Sequence, residues 1–105
     1  PTCTTRMTNN QAVSLSISPR PIKANQSITA TITFSNIGPV VAQLRVYPVN
    51  ATLQPQQVLP LTISNNVATV SFTVPDGVEA ARWVALVTFQ VGNTATAVPF
   101  RFELR

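Results

Sequence analysis

Histidine is absent from this sequence, cysteine occurs once, at Cys3, and the only carboxylate side chains are Asp76, Glu79 and Glu103. Each shortage removes a class of chemistry. Without histidine there is no histidine-based triad and no histidine-ligated metal. A single cysteine rules out an intrachain disulfide and any CxxC metal or redox motif. Three scattered acids make a poor start on calcium, which takes about six or more oxygen ligands, and their spacing suggests no glycosidase pair. Glycine is limited to Gly38, Gly77 and Gly92, and neither GxxxxGK[ST] nor GxGxxG occurs, so a phosphate-cradling loop is not expected. The expectation is a protein that is not an enzyme and uses no cofactor or metal.

Charge is also scarce. Charged residues are 10% of the chain, against roughly 25% in an ordinary globular domain. Apolar residues nevertheless reach 45%, which excludes the polar, highly charged composition of disorder. Seven basic residues against three acidic ones give a net charge of +4. The basic residues are Arg6, Arg20, Lys23, Arg45, Arg82, Arg101 and Arg105, strung along the whole chain. A nucleic-acid binder clusters such residues among aromatics, and only Arg20 and Lys23, around Pro21, form a pair. No nucleic-acid partner is expected. No apolar run approaches the length of about 18 residues that spans a bilayer, so membrane insertion is not expected either. The sequence of 105 residues fits one domain, and its start at Pro1 reads as a processed or excised chain.

What the sequence has in abundance is period-2 alternation. Ile28, Ala30, Ile32 and Phe34 alternate with Ser27, Thr29, Thr31, Thr33 and Ser35. Val13, Leu15 and Ile17 alternate with serines, and Ala68, Val70, Phe72 and Val74 with Val67, Thr69, Ser71 and Thr73. Near the C-terminus, Val98, Phe100, Phe102 and Leu104 alternate with Pro99, Arg101 and Glu103. Half-buried strands look like this. Val41–Val46 and Trp83–Val91 add two more, the second apolar on both faces and therefore central or covered. Gln57–Ile63 is apolar but broken by Pro60, which cannot donate to a ladder, so an edge or sheet-crossing strand is expected there.

Turn chemistry separates these runs. Ser18-Pro-Arg-Pro21, Ile37-Gly-Pro39, Asn65-Asn66, Pro75-Asp-Gly77 and Gly92-Asn93 all fall between strands. No apolar stripe of helical period appears, and Val78–Arg82 has room for one helical turn at most. Seven strands with turns every 8–12 residues predict an all-β, immunoglobulin-like, seven-stranded antiparallel β-sandwich over residues 11–105. That topology would pair strands A (Val13–Ser18), B (Ser27–Asn36), E (Val67–Val74) and D (Gln57–Ile63) in one sheet. Strands C (Val41–Tyr47), F (Arg82–Val91) and G (Thr96–Leu104) would form the other. Residues 1–10 are polar, lack alternation and read as an N-terminal extension.

The segment Ile22-Lys-Ala-Asn-Gln-Ser-Ile-Thr-Ala-Thr-Ile-Thr-Phe-Ser-Asn-Ile-Gly38 resembles the opening of bacterial and archaeal cell-surface Ig-like modules. In those modules a turn leads into a long alternating B strand that ends in Asn-x-Gly. Val67–Pro75, Trp83–Val91 and Phe100–Leu104 are similar to their closing strands, where a proline ends E and an aromatic begins F. The resemblance covers Val13 to Leu104 and rests on pattern. It implies the fold and an extracytoplasmic setting (secreted, cell surface or virion). The sequence departs from antibody domains, since core residues such as Ile32 and Val87 stand where the inter-sheet cysteines would be.

Candidate functional residues are few. Trp83, at the start of strand F, is expected to pack in the core, the alternative being an exposed stacking platform. Tyr47 falls on the outward parity of strand C, as Val84 and Leu86 do on strand F. Asn25-Gln-Ser27 and Asn50-Ala-Thr52 match the N-glycosylation acceptor pattern. Thr29, Thr31 and Thr33 give an outward hydroxyl ladder of the kind that suits a soluble strand. Low charge leaves a sandwich weakly protected against association. The leading expectation is a non-catalytic structural or adhesive module, a self-associating subunit of a filament, layer or virion, or a domain of a longer surface protein. Its partners would be other protein subunits. The N-terminal segment either folds back on its own domain or contacts another copy, the second being expected, with Cys3, Arg6 and Met7 nearest the junction. The alternative is a carbohydrate-binding module using Tyr47 and Trp83.

Overall fold

The alternating runs do become strands. The computed structural model describes residues 2–8, 11–19, 22–35, 38, 41–49, 57–74 and 82–104, with side chains described from Val13 onward. Eight strands are present among these residues. They are β1 (Thr2–Thr8), β2 (Gln11–Ser18), β3 (Ile28–Ser35), β4 (Val41–Pro48), β5 (Gln57–Pro60), β6 (Val67–Phe72), β7 (Arg82–Val91) and β8 (Thr94–Glu103). No described residue is helical. The turn allowed at Val78–Arg82 lies outside the described residues except for Arg82, which opens β7.

The strands form two antiparallel sheets, ordered β1-β2-β3-β6 and β5-β4-β7-β8. The first holds the expected A, B and E strands. The expected place of Gln57–Ile63 beside E is corrected: β5 pairs with β4, Leu59 opposite Leu44 and Val58 opposite Arg45. The physical reason is chain economy, because consecutive strands usually return beside their predecessor and this sheet edge is open to them. Leu61 then extends the pairing, its N–H donating to the Ala42 carbonyl at 3.0 Å. Pro60 sits on an edge strand, where its missing N–H removes no bond to β4. One tie back to the first sheet remains, since Gln57 Nε2 donates to the Thr73 carbonyl at 2.7 Å.

A second difference concerns the N-terminal segment. Thr2–Thr8 runs antiparallel on β2, Thr2 opposite Ile17 and Thr8 opposite Gln11, so the first sheet has a fourth strand at its edge. No apolar alternation announces it. Backbone hydrogen bonds are indifferent to side-chain pattern, which is why an edge strand can form without apolar alternation.

The core lies between the sheets and joins inward residues from both, including Val13, Ile32, Phe34, Leu44, Val46, Val87 and Phe100. Phe34 of β3 meets Phe89 of β7 edge to face, ring centroids 5.6 Å apart, and Phe72 of β6 meets Phe102 of β8 at 6.4 Å. Both aromatic pairs therefore cross from one sheet to the other. Among the described residues no buried polar or charged residue intrudes.

The hairpin into β6 turns on two left-handed residues, Asn65 (φ 53°) and Asn66 (φ 66°). Ser64 and Val67 exchange both backbone hydrogen bonds across it, at 2.9 and 3.0 Å. Consecutive positive φ angles match the type I′ turn, which asparagine and glycine tolerate best. Replacing Asn65 with Val should destabilise the domain by about 1–2 kcal/mol, because a β-branched side chain clashes in that backbone region. Asn66→Gly should leave stability equal or slightly raised. Urea unfolding midpoints of the two variants check both.

Candidate functional site

The two outer faces of the sandwich differ in kind. On the first sheet, register stacks Ser14 beside Thr33 and the exposed Val67 at one end, Ser16 beside Thr31 and Thr69, and Ser18 beside Thr29 and Ser71. This is a field of hydroxyls, and Thr29 and Ser71 bond one another across it at 3.3 Å. The second sheet turns a mixed apolar and basic surface outward. Tyr47, Val84 and Arg101 form one cross-strand row, and Val58, Arg45, Leu86 and Pro99 form the next.

The apolar groups here are numerous for an outer face. Val58 and Val41 are 49% and 60% exposed. Leu86 and Tyr47 are half-buried. Val84 is buried although its parity points outward, because it lies on a central strand flanked in register by two long side chains, Tyr47 and Arg101. Polar groups are held among them. With its amide oxygen turned toward Arg45, Gln43 accepts hydrogen bonds from both Nε and Nη2 of that guanidinium at 3.1 Å. Farther along, Arg82 and Glu103 lie opposite one another with 3.8 Å between Nε and Oε1. Both side chains are well exposed, so this pair adds little stability. A shallow depression of about 220 Å³ opens at the end of the face, lined by Gln43, Thr88, Gln90 and Ala95 among others. Its lining includes no carboxylate, thiol or imidazole.

The sequence-derived candidates thus separate. Tyr47, Val84 and Leu86 come together on one surface. Trp83 does not join them: it faces the interior, 3% exposed, opposite Pro48 and Phe102. Its fluorescence should resist acrylamide quenching in the folded protein and become accessible in urea. Asn25 lies on an exposed turn at φ 61°, its N–H donating to the Val74 carbonyl at 2.8 Å. Asn50 lies outside the described residues. Cys3, Arg6 and Met7 occupy β1 opposite Ser16, Val13 and Ala12. Gln43, Arg45 and Pro99 lie on this surface as their alternation implies, whereas Val58 and the hydrogen bonds between Gln43 and Arg45 escaped sequence reasoning. Only the pairing of β5 with β4 brings Val58 there, and no local pattern encodes that pairing.

Chemically, such a surface offers apolar contact area with hydrogen-bond donors beside it, which is enough to bind. Among the described residues no three His, Cys, Asp or Glu side chains gather as a metal site, and no helix is long and apolar enough to cross a membrane. Fold and surface together define an all-β protein of two antiparallel sheets. No protein-family model and no curated protein matches the chain. Among solved structures it is similar to a Br derivative of BhCBM56, a carbohydrate-binding module. The two superpose with a TM-score of 0.58 over 94% of this chain and 97% of that one, at 9% identity. The likeness is one of fold.

Proposed function

We propose that this protein is a non-catalytic structural or adhesive module of immunoglobulin-like type, working outside the cytoplasm by docking the outer face of its second sheet on neighbouring protein subunits. The observation that carries this reading is the contrast between the two outer faces. A sheet that needs only solubility is served by the hydroxyl face of β2, β3 and β6. The outer face of the second sheet instead exposes apolar area at Val41, Val58 and Pro99, with Tyr47 and Leu86 half-buried and arginines beside them, residue types that suit a protein interface. Arg45 and Arg101 favour a partner surface that offers carboxylates or carbonyls. Replacing Leu86 with Lys, or Tyr47 with Ala, should weaken concentration-dependent association about tenfold or more while leaving circular dichroism unchanged. Sedimentation velocity measures it, and equal association in wild type and both variants would remove the reading.

A second reading shares the same surface. Tyr47 supplies a ring for stacking, and the Gln43–Arg45 pair and Arg101 supply donors for sugar hydroxyls. The fold likeness to a carbohydrate-binding module lends support. Electrophoresis through gels containing soluble polysaccharides separates the two. Retardation that disappears in Tyr47→Ala favours the sugar, and unretarded migration in every polysaccharide favours the protein partner.

A further inference from the structure

The four outermost strands are not equally open. In an antiparallel ladder the residues of a strand alternate, one bonding its neighbour on one side and the next pointing to the other side. The N–H of Phe34 donates to the Asn66 carbonyl at 2.8 Å, which fixes the even residues of β3 toward β6. The odd ones then bond the even residues of β2, and the odd residues of β2 bond Thr2, Thr4, Arg6 and Thr8 of β1. The backbone groups of Cys3, Thr5 and Met7 consequently point away from the sheet, on the side where no further strand lies among the described residues.

The same alternation shows the other edges interrupted. On β8 the outward positions are Ala95, Ala97, Pro99, Arg101 and Glu103, and Pro99 removes the middle donor. On β5 they are Val58 and Pro60, and Pro60 has no donor. On β6, Val67 is already bonded to Ser64 and the Thr73 carbonyl to Gln57, leaving Thr69 and Ser71. Proline, very short strands and self-covering are the usual ways of closing an edge to pairing. Only β1, among the described edges, keeps three successive outward positions with every donor and acceptor in place.

We infer that the β1 edge is a pairing site for β1 of a second copy, running antiparallel about a twofold axis at Thr5. In that register Thr5 faces its own counterpart and Cys3 faces Met7 of the other copy. Three residue pairs would each exchange two hydrogen bonds. Arg6 faces Thr4 of the other copy, so the one charge in the strand never meets its like. Self-complementarity about a twofold axis favours a second copy over an unrelated strand. The product is a continuous sheet of two four-stranded halves, extending one hydroxyl face. This rests on the self-association reading above and adds to it: an isologous contact closes at two copies, so an extended assembly also needs the separate contact at the second sheet.

Thr5→Pro tests the site. The Thr5 N–H points outward, so proline there leaves the β1–β2 ladder intact but removes both bonds of the central pair. Thr5→Val is the control, since it keeps the backbone donor. In the Leu86→Lys background, which disables the second-sheet contact, sedimentation equilibrium should show the protein and its Thr5→Val variant as dimers at high concentration, with Thr5→Pro weakened about a hundredfold. Its melting temperature in dilute solution should match that of wild type. Leu86→Lys should still form the dimer. If Thr5→Pro in that background dimerises as Leu86→Lys alone does, the edge proposal is overturned while self-association stands. If the wild type is monomeric at every concentration, both fail.

Discussion

Replacing Phe34 with Ala should destabilise this domain by about 3–5 kcal/mol, the range for truncating a buried aromatic whose site cannot collapse. Phe34 is 1% exposed and lies at the contact between the sheets. Its edge-to-face partner Phe89 comes from β7, in the opposite sheet, and Val13 faces it from β2. Truncation therefore leaves a void bounded by two sheets whose spacing is held by every other core residue, so relaxation can fill little of it. Domain stabilities run at about 5–15 kcal/mol, and a loss of this size approaches unfolding at ordinary temperature. Phe34→Leu should cost less than half as much, because most of the apolar volume stays. Urea denaturation of the three proteins checks the order, and an alanine variant within about 1 kcal/mol of wild type would mean that Phe34 does not bridge the sheets.

Adjacent residues on β7 should give opposite outcomes when made acidic. Val87 is fully buried between Leu44 and Val98 in register, with no polar partner to receive a charge. An aspartate there must either stay ionised in an apolar interior or take up a proton, and each costs several kcal/mol. Val87→Asp should fail to fold. Leu86, one residue earlier, points to the other side, between Arg45 and Pro99. Leu86→Asp should fold with a stability change within about 1 kcal/mol, since the guanidinium of Arg45 is its cross-strand neighbour. Circular dichroism and thermal melts of the two purified proteins decide the matter, and folding of both variants would show the inward and outward parities of β7 to be misassigned.

Much of this fold was legible because strand period and burial are locally coupled. Ile28–Phe34 alternates so regularly that its inward set could be named from the sequence alone, and those residues are buried. Trp83–Phe89, apolar on both sides, became a central strand for the reason expected. What was not legible depends on pairing. Gln57–Pro60 carries the same few residues whether it lies beside β4 or β6, and the choice is made by loop length and by which edge is open. Thr2–Thr8 has no pattern because its ladder uses backbone groups only. The candidate surface was half visible for the same cause. Tyr47, Val84, Leu86 and the outward sides of Gln43 and Arg45 follow from parity, whereas Val58 enters through register and the Gln43–Arg45 hydrogen bonds through side-chain orientation, which periodicity does not encode.

The central claim is that the outer face of the β5-β4-β7-β8 sheet is the docking surface. Hydroxyl-radical footprinting of the intact protein, read by mass spectrometry in dilute and in concentrated solution, tests it most directly. Tyr47, Leu86 and Val58 should lose labelling as the protein associates, while Val67, exposed at the end of β6 away from that face, should label equally in both. Unchanged labelling of Tyr47 and Leu86 in a solution where sedimentation shows association would contradict the account.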